Sequence, residues 1–560
     1  MQKIVECVPN FSEGRDLAVI KQITDEIEKV EGANLLDVDP GADTNRTVVT
    51  IVGAPDAVVE AAFRAIKKAS EVIDMRLHTG AHPRMGATDV CPFIPVSNIT
   101  MDECVELAKT LGKRVGDELE IPVYLYEYAA SKPEWKNLAN VRKGEYEGLY
   151  ARFDDAYWKP DFGPAKFNAS SGATAISARK FLVAYNVNLN TRDTKKATGI
   201  ALDIREQGRG KRDGNGKIMK NADGTKMMTP GTLKSVKAVG WYIDEYNMAQ
   251  VSINLTDTDI TPIHIAFDEV CCQAEKRGLR VSGSEIVGMV PLKAMTDAGK
   301  YYLAKQNKSK GASTHELVRL AIQSMGLDEI SPFIPDERII EFRLAGDAQT
   351  NQLVTMKLNE FNDELASDSP APGGGSVSAL VSSMSVSLTA MVGLLTHGKK
   401  GYNDVWEEVE RLGEDAQSLK DQLQFLVDVD TQSFNDVMSA MRLAKKTSTQ
   451  IETRNEAIEM ATKISANVPF KVMQLSFEAM KLARRMSQIG NQNSLSDAGV
   501  ALLIAYAGFR GAAMNVQINL GDIQDKIFVS EMTTNVHQLK NDALTLYSQG
   551  LDDIEGKLAL

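Results

Sequence analysis

The sequence predicts a multidomain chain: two similar α/β subdomains of the α+β sandwich type, followed by an all-α helical bundle. Three observations carry this. Up to about residue 330, short β-branched runs alternate with helix-periodic stretches. Within that part a strand-loop-helix pattern recurs, first as VTIVGAPDAVVEAAFRAIKKA and later as VSINLTDTDITPIHIAFDEVCCQA. From about residue 345 strand signals fade, and helical periodicity seldom broken by Gly or Pro takes over.

The elements follow in order. KIVECVPNF reads as a strand, LAVIKQITDEIEKV as a helix, RTVVTIVGA as a strand and AVVEAAFRAIKKASEVI as a helix. DVCPFIPV is another strand. Thr100 then caps MDECVELAKTLGKRV with Glu103 three residues on, a capping box. IPVYLYEYA closes the series, helices covering a sheet. KFLVAYNVNL (strand) and TKKATGIALDIREQ (helix) come next. LKSVKAVGWYI and MAQVSINLT are paired strands, and PIHIAFDEVCCQAEKRG is a helix. The Lys-, Gly-, Asn- and Asp-rich stretch Gly210–Pro230 reads as an inserted hairpin. Helices of the last part fall at residues 352–367, 375–396, 402–443, 453–488, 497–519 and 523–553. The subdomains are thus expected at 1–177 and 178–335, a charged linker at 336–349 and the bundle at 350–560. Two such subdomains side by side leave a cleft, a common place for a ligand.

Composition narrows the function. A net charge of −12 argues against a nucleic-acid partner, which asks for a basic face. It leaves room for a small anion in a local basic pocket. The five cysteines, Cys7, Cys91, Cys104, Cys271 and Cys272, form no C-x-x-C pair and read as reduced thiols of a cytoplasmic protein. MQKIVECVPNF has no long apolar core, so no signal peptide is expected. The apolar stretch Val377–Leu395 is rich in Ser and Met and reads as a buried bundle helix, not a membrane span.

LHTGAHPRMGATDVCPFIPV holds two of the six histidines, His78 and His82, four residues apart. That spacing suits two ligands on a helix, but Gly80 and Pro83 oppose a helix and no further Cys/His cluster completes a metal set. No metal is expected. A loop histidine held by hydrogen bonds and a general acid/base are both open readings. In the last part, DSPAPGGGSVSAL sets three glycines before a helix, a turn for close packing or an anion, without the G-K-[ST] ending of a nucleotide-phosphate loop. Asp430 falls on the apolar stripe with Leu423, Val427, Phe434 and Met441, an unusual place for a carboxylate.

VECVPNFSEG, DVDPGADTNRTVVTIVG, HTGAHPRMGATDVCPFIPV, ARKFLVAYNVNLNT, IREQGRG and GWYIDEYNMAQVSINL together resemble the glutamate formimidoyltransferase family over nearly all of residues 1–335. The resemblance implies transfer of a formimino group from N-formimino-L-glutamate to N5 of tetrahydrofolate, with His82 catalytic. It also implies a folate-binding segment formed by Gly163, Pro164, Ala165, Lys166, Phe167, Asn168, Ala169, Ser170, Ser171 and Gly172. Animal relatives carry an aromatic near Ser171, absent here. Chemistry agrees with a histidine: one group must take the N5 proton and hand a proton to the leaving glutamate nitrogen. Asp39 is the candidate to hold its tautomer. Arg46 and Arg84 are candidates to grip substrate carboxylates. His78 is read as structural.

PGGGS, LVDVDTQSF and GNQNSLSDAGVALLIAYAGFRGAAMNVQINL resemble the formimidoyltetrahydrofolate cyclodeaminase domain and related methenyltetrahydrofolate cyclohydrolases, over about residues 350–545. The resemblance implies ring closure of 5-formiminotetrahydrofolate to 5,10-methenyltetrahydrofolate with loss of ammonia. A buried carboxyl of the D-x-D pair, Asp428 or Asp430, is the candidate proton shuttle. The family pattern leans to Asp428 and assigns Arg454 to the folate. Tetrahydrofolate and its polyglutamates are co-substrates, with no membrane partner. The family assembles as a homo-oligomer, often a ring-like octamer. Two alternatives stay open for the bundle: a cyclohydrolase, or a non-catalytic oligomerisation module.

Overall fold

The computed structural model describes residues 3–42, 44–80, 83–153, 155–243, 246–347 and 353–558. It divides into two compact units, Met1–Pro291 and Leu292–Leu560. The first is built on sheets and the second on helices.

In the first unit, β1 (Ile4–Cys7) and β2 (Asn10–Phe11) act as one interrupted strand between β4 (Arg46–Gly53) and β5 (Thr88–Ser97). β3 (Ala33–Gly41) is the edge beyond β4. On the other side β5 pairs in parallel with β7 (Thr174–Ala178), and β7 with β6 (Val123–Glu127). Helices α1 (Leu17–Glu28), α2 (Pro55–Val72) and α3 (Met101–Leu119) share a core with one face of this sheet. Asp16 caps α1, and the Thr100–Glu103 capping box starts α3. Period-two alternation divides the side chains. Val49, Ile51, Cys91, Phe93 and Leu125 enter the core under the helices. Val48, Val90, Pro92 and Tyr126 point the opposite way, into a cleft.

The chain from β6 to β7 winds through α4 (Leu138–Val141) and α5 (Glu145–Arg152) around buried Trp135, which stacks on Trp158. The second sheet follows, antiparallel in the order β11 (Val236–Ile243), β12 (Met248–Leu255), β8 (Val183–Leu189), β13 (Val281–Val287). α6 (Thr194–Ile204) and α7 (Ile263–Glu275) accompany it. The inserted stretch is a hairpin as expected: β9 (Arg209–Gly210) pairs with β10 (Met228–Thr229), with further bridges at Arg212–Ile218 and Lys220–Lys226.

The second unit starts well before the charged stretch read as a linker. α8 (Leu292–Lys305) and α9 (Thr314–Met325) belong to it because their loop is tied to the bundle. Lys300 pairs with Glu414 at 2.6 Å, the Lys310 amide donates to Glu410, and Gln417 donates to the Gly311 carbonyl. The expected linker is itself helical in α10 (Pro335–Arg338) and α11 (Ile340–Asp347); residues 348–349 lie outside the described residues. After the short α12 (Leu358–Leu365) come α13 (Gly374–Thr396), α14 (Trp406–Met441), α15 (Ser448–Ile489), α16 (Leu495–Leu520) and α17 (Lys526–Leu558). All share one core. α13 and the stretch Gln492–Leu520 are long and apolar enough to cross a membrane, yet each buries half or more of its apolar window inside the bundle. Buried hydroxyls make this possible: Ser378, Ser382, Thr389 and Thr396 each donate to the carbonyl four residues back.

Candidate functional sites

The cleft of the first unit has a volume of about 900 Å³. Asn10, Arg46, Pro83 and Tyr126 line it from the first sheet and its loops, and Ser235, Lys237, Thr256 and Asp257 from the second. Six cations border it: Arg46, Arg142, Lys143, Arg179, Lys180 and Lys237. Two are neutralised in place. Arg142 pairs with fully buried Asp89, and Lys180 lies 2.9 Å from Asp257 and 3.0 Å from Asp259. Burial pulls the Arg46 guanidinium below its usual pKa, against the fields of Asp89 and Asp39. Glu127, Glu145 and Asp257 line it as well, so among its lining residues cations outnumber acids six to three in a chain that is negative overall.

His82 itself lies outside the described residues; its neighbour Pro83 borders the cleft. The loop around it is well anchored. His78 Nε2 meets the Asn45 carbonyl at 2.8 Å and so carries the proton, while its Nδ1 accepts from Arg84 Nε at 3.2 Å. Asn45 also donates to the Thr79 carbonyl. The arm before His82 is thereby fixed to the turn that carries Arg46. Asp39 sits exposed on β3 opposite Val48. Arg84, expected to grip substrate, is instead occupied. Buried at 9 % exposure, it makes a two-pronged contact with Glu147 at 2.6 and 2.9 Å, and another with Glu145 at 3.2 Å. Those glutamates follow more than sixty positions later, so the sequence alone hid the pairing.

The expected folate segment touches the same loop. The Met75 amide donates to the Ser170 carbonyl and the Ala87 amide to the Ser171 carbonyl, while Gly86 bridges to Gly172. Gly172 has φ +68°, and a Cβ there would lie 2.1 Å from the Met85 carbonyl, so only glycine fits. Gly163, Pro164 and Lys166 to Ala169 line a second cavity of about 640 Å³ against the end of α3. Phe167 packs on Tyr146 and Tyr150, ring centroids 5.6 and 6.0 Å apart. An aromatic face is therefore present although none stands near Ser171.

In the second unit the three-glycine turn and the D-x-D pair meet. The Asp430 carboxyl lies over Gly375 at the start of α13, where an added Cβ would come within 2.1 Å of Oδ1. Ser376 Oγ is 3.2 Å from Asp430 Oδ2, 3.2 Å from Thr431 Oγ1 and 2.8 Å from the Val427 carbonyl. Asn515 of α16 approaches Gly374. Burial raises the Asp430 pKa, and its contacts with Ser376 work against that rise. Asp428 faces elsewhere: buried, it accepts from the Leu353 amide at 2.7 Å and the Val354 amide at 3.4 Å. Arg454 is half-buried and closes the end of α14 by donating to the Met441 carbonyl. Eleven residues of helix, roughly 16 Å, separate Met441 from Asp430.

Comparison with known proteins decides what these sites belong to. Residues 4–179 match the formiminotransferase domain, N-terminal subdomain; residues 184–345 the formiminotransferase domain; residues 357–538 formiminotransferase-cyclodeaminase. A formimidoyltransferase-cyclodeaminase of Dictyostelium discoideum is 44% identical over 545 residues, 97% of either chain. One of Rattus norvegicus is 41% identical over 557 residues, the whole of both. The chain belongs to the formimidoyltransferase-cyclodeaminase family. It is a bifunctional folate enzyme, formimidoyltransferase and cyclodeaminase in one polypeptide. Its helical part is also 34% identical over 201 residues to a methenyltetrahydrofolate cyclohydrolase of Methylorubrum extorquens, 36% of this chain and 97% of that one. Sequence reasoning missed Ser376 as the partner of Asp430, Thr431 and Asn515 at the same helix start, and the Asp89–Arg142 pair beneath the cleft. Only the buried-stripe position of Asp430 hinted at the first group.

Proposed function

We propose that the first unit's cleft performs the formimino transfer and that Asp430 carries the second reaction. N5 of tetrahydrofolate attacks the amidine carbon of N-formimino-L-glutamate. His82 takes the N5 proton and delivers it to the glutamate nitrogen, which leaves as an amine. Asp39 holds the tautomer of His82, and Arg46 faces a substrate carboxylate, a role that Arg84 leaves to it. The segment Gly163–Gly172 holds the folate. The observation that carries this is the double attachment of that segment to the two ends of the His82 loop.

In the second reaction N10 attacks the formimino carbon and Asp430 moves the protons, while Asp428 holds the chain before α12 in place. The two sandwich subdomains are related as 1–177 and 178–335, and the bundle works from residue 350 onward. The sequence of reactions suits the degradation of histidine, with folate polyglutamates as natural co-substrates. A homo-oligomer, up to an octamer, is favoured by the more than half-exposed Met460, Met514, Ile518 and Ile527 on the helical unit. A cytoplasmic setting is favoured by five cysteines, none of them disulfide-bonded. A second reading, a cyclohydrolase in the bundle, is favoured by the Methylorubrum relative. A coupled assay with N-formimino-L-glutamate and tetrahydrofolate separates them: ammonia released in step with methenyl product supports the deaminase, and methenyl hydrolysis without ammonia supports the hydrolase.

A further inference from the structure

Ring closure has a proton requirement that can be met in two ways. The substrate can enter as a cationic amidinium facing an ionised carboxylate. Alternatively it enters as the neutral imine facing a protonated carboxyl. In the second case N5–CH=NH, N10–H and Asp–COOH give the methenyl cation, NH₃ and Asp–COO⁻. The N10–formimino carbon bond forms and the bond from that carbon to the leaving nitrogen breaks. Three hydrogens end on the ammonia, and solvent then returns a proton to the carboxylate.

We infer that Ser376 is a positioning residue that presents a lone pair to Asp430 and so holds it as the neutral acid before substrate binds. A serine hydroxyl has one proton and two lone pairs. The Val427 carbonyl can only accept, and at 2.8 Å it is the shortest of the three contacts of Ser376 Oγ. The proton therefore goes to Val427. Asp430 Oδ2 and Thr431 Oγ1, both at 3.2 Å, are left facing lone pairs. An ionised Oδ2 there would set lone pair against lone pair; a protonated one donates to Ser376. Ser376 is fully buried, so water does not supply an alternative partner. Burial acts on Asp430 in the same direction; the Ser376 amide opposes it, and so would the Ser376 hydroxyl if its proton faced Oδ2 instead of the Val427 carbonyl. No charged group from another helix contributes among the described residues. On α14 itself the nearest acid, Asp428, is engaged with the Leu353 and Val354 amides. α13 brings Gly375 and Ser376 to the carboxyl, and α16 brings Asn515 to the neighbouring Gly374.

This rests on Asp430 as the proton shuttle, and the test separates the two ideas. Infrared spectra of the full-length enzyme, followed against pH, would show the carboxylic-acid C=O band that disappears in Asp430→Asn. The expected result is that this band persists at pH 6, where an ordinary aspartate near 3.9 is ionised. In Ser376→Ala the band should titrate about half to one pH unit lower, the equivalent of one lost hydrogen bond to the neutral form. A shift upward would mean that Ser376 donates to the carboxylate, and would overturn the inference. So would a wild-type band already gone at pH 6, which decides the matter even if Ser376→Ala fails to fold. Ammonia release by Asp430→Asn judges the catalytic reading separately: a wild-type rate there sinks the shuttle while the protonation result still stands.

Discussion

In the reading proposed above, the two units solve proton transfer in opposite surroundings. The first places its chemistry beside an open, ion-rich cleft, where six cations border a cavity of about 900 Å³. The second places a single carboxyl against the start of an apolar helix, with hydroxyls and an asparagine for company. A cleft full of paired charges suits a group that titrates near neutrality without help, which is what imidazole does. A dry helix junction suits a group that must be pushed toward neutrality, which burial does for a carboxyl. The lesson is that the same requirement, one group that both accepts and donates, selects a different residue type in each environment.

Mutations that break one side should leave the other standing. The largest effect expected is from His82→Ala, which should lower formimino transfer on the order of 10²–10⁴-fold while ammonia release from supplied 5-formiminotetrahydrofolate continues. Asp430→Asn should do the reverse, with a similar loss of ammonia release and normal transfer. Parallel assays of the two half-reactions on each variant check this; a variant that loses both would mean that the sites are not independent. Next comes Gly375→Ala. A Cβ 2.1 Å from the Asp430 carboxyl forces a shift at the helix start. Ammonia release should fall steeply, and stability by about 1–3 kcal/mol, as for other overpacked positions, read from denaturant unfolding of the full chain. Asp428→Asn sharpens the contrast within the D-x-D. Asparagine's single carbonyl oxygen keeps at most part of the amide contacts, so this variant should lose about 1–3 kcal/mol of stability and keep most of its ammonia release. The smallest effect belongs to His78→Ala, whose loss of two loop hydrogen bonds should cost transfer far less than His82→Ala.

Local signals were legible and long-range pairings were not. The Thr100–Glu103 capping box was readable because both partners lie within one turn. The long bundle helices were readable within a few residues because their apolar period runs for five or more turns. β3 was not read as a strand, since Asp39 and Pro40 break the pattern; both are tolerated because β3 is an edge. β7 was missed because its five residues are all buried and, Ile176 apart, small, with no alternation to see. That the chain from Leu292 onward packs with the helical unit was not visible, because the ties from the α8–α9 loop to α14 join residues about a hundred positions apart. At the sites, residue types were visible and partners were not. Arg84 looked available until Glu145 and Glu147 were placed beside it, and the D-x-D could not be divided until Ser376 and the Leu353 amide took one aspartate each.

The backbone bonds from Met75 and Ala87 to Ser170 and Ser171 have a kinetic meaning. They clasp both ends of the loop that carries His82 to the segment proposed to receive the folate. A pterin bound as proposed stiffens that segment and, through these bonds, Met75 and Ala87 on either side. If the segment holds the folate as proposed, folate is expected to add before the amino-acid derivative, an order that product-inhibition patterns of the transfer reaction check.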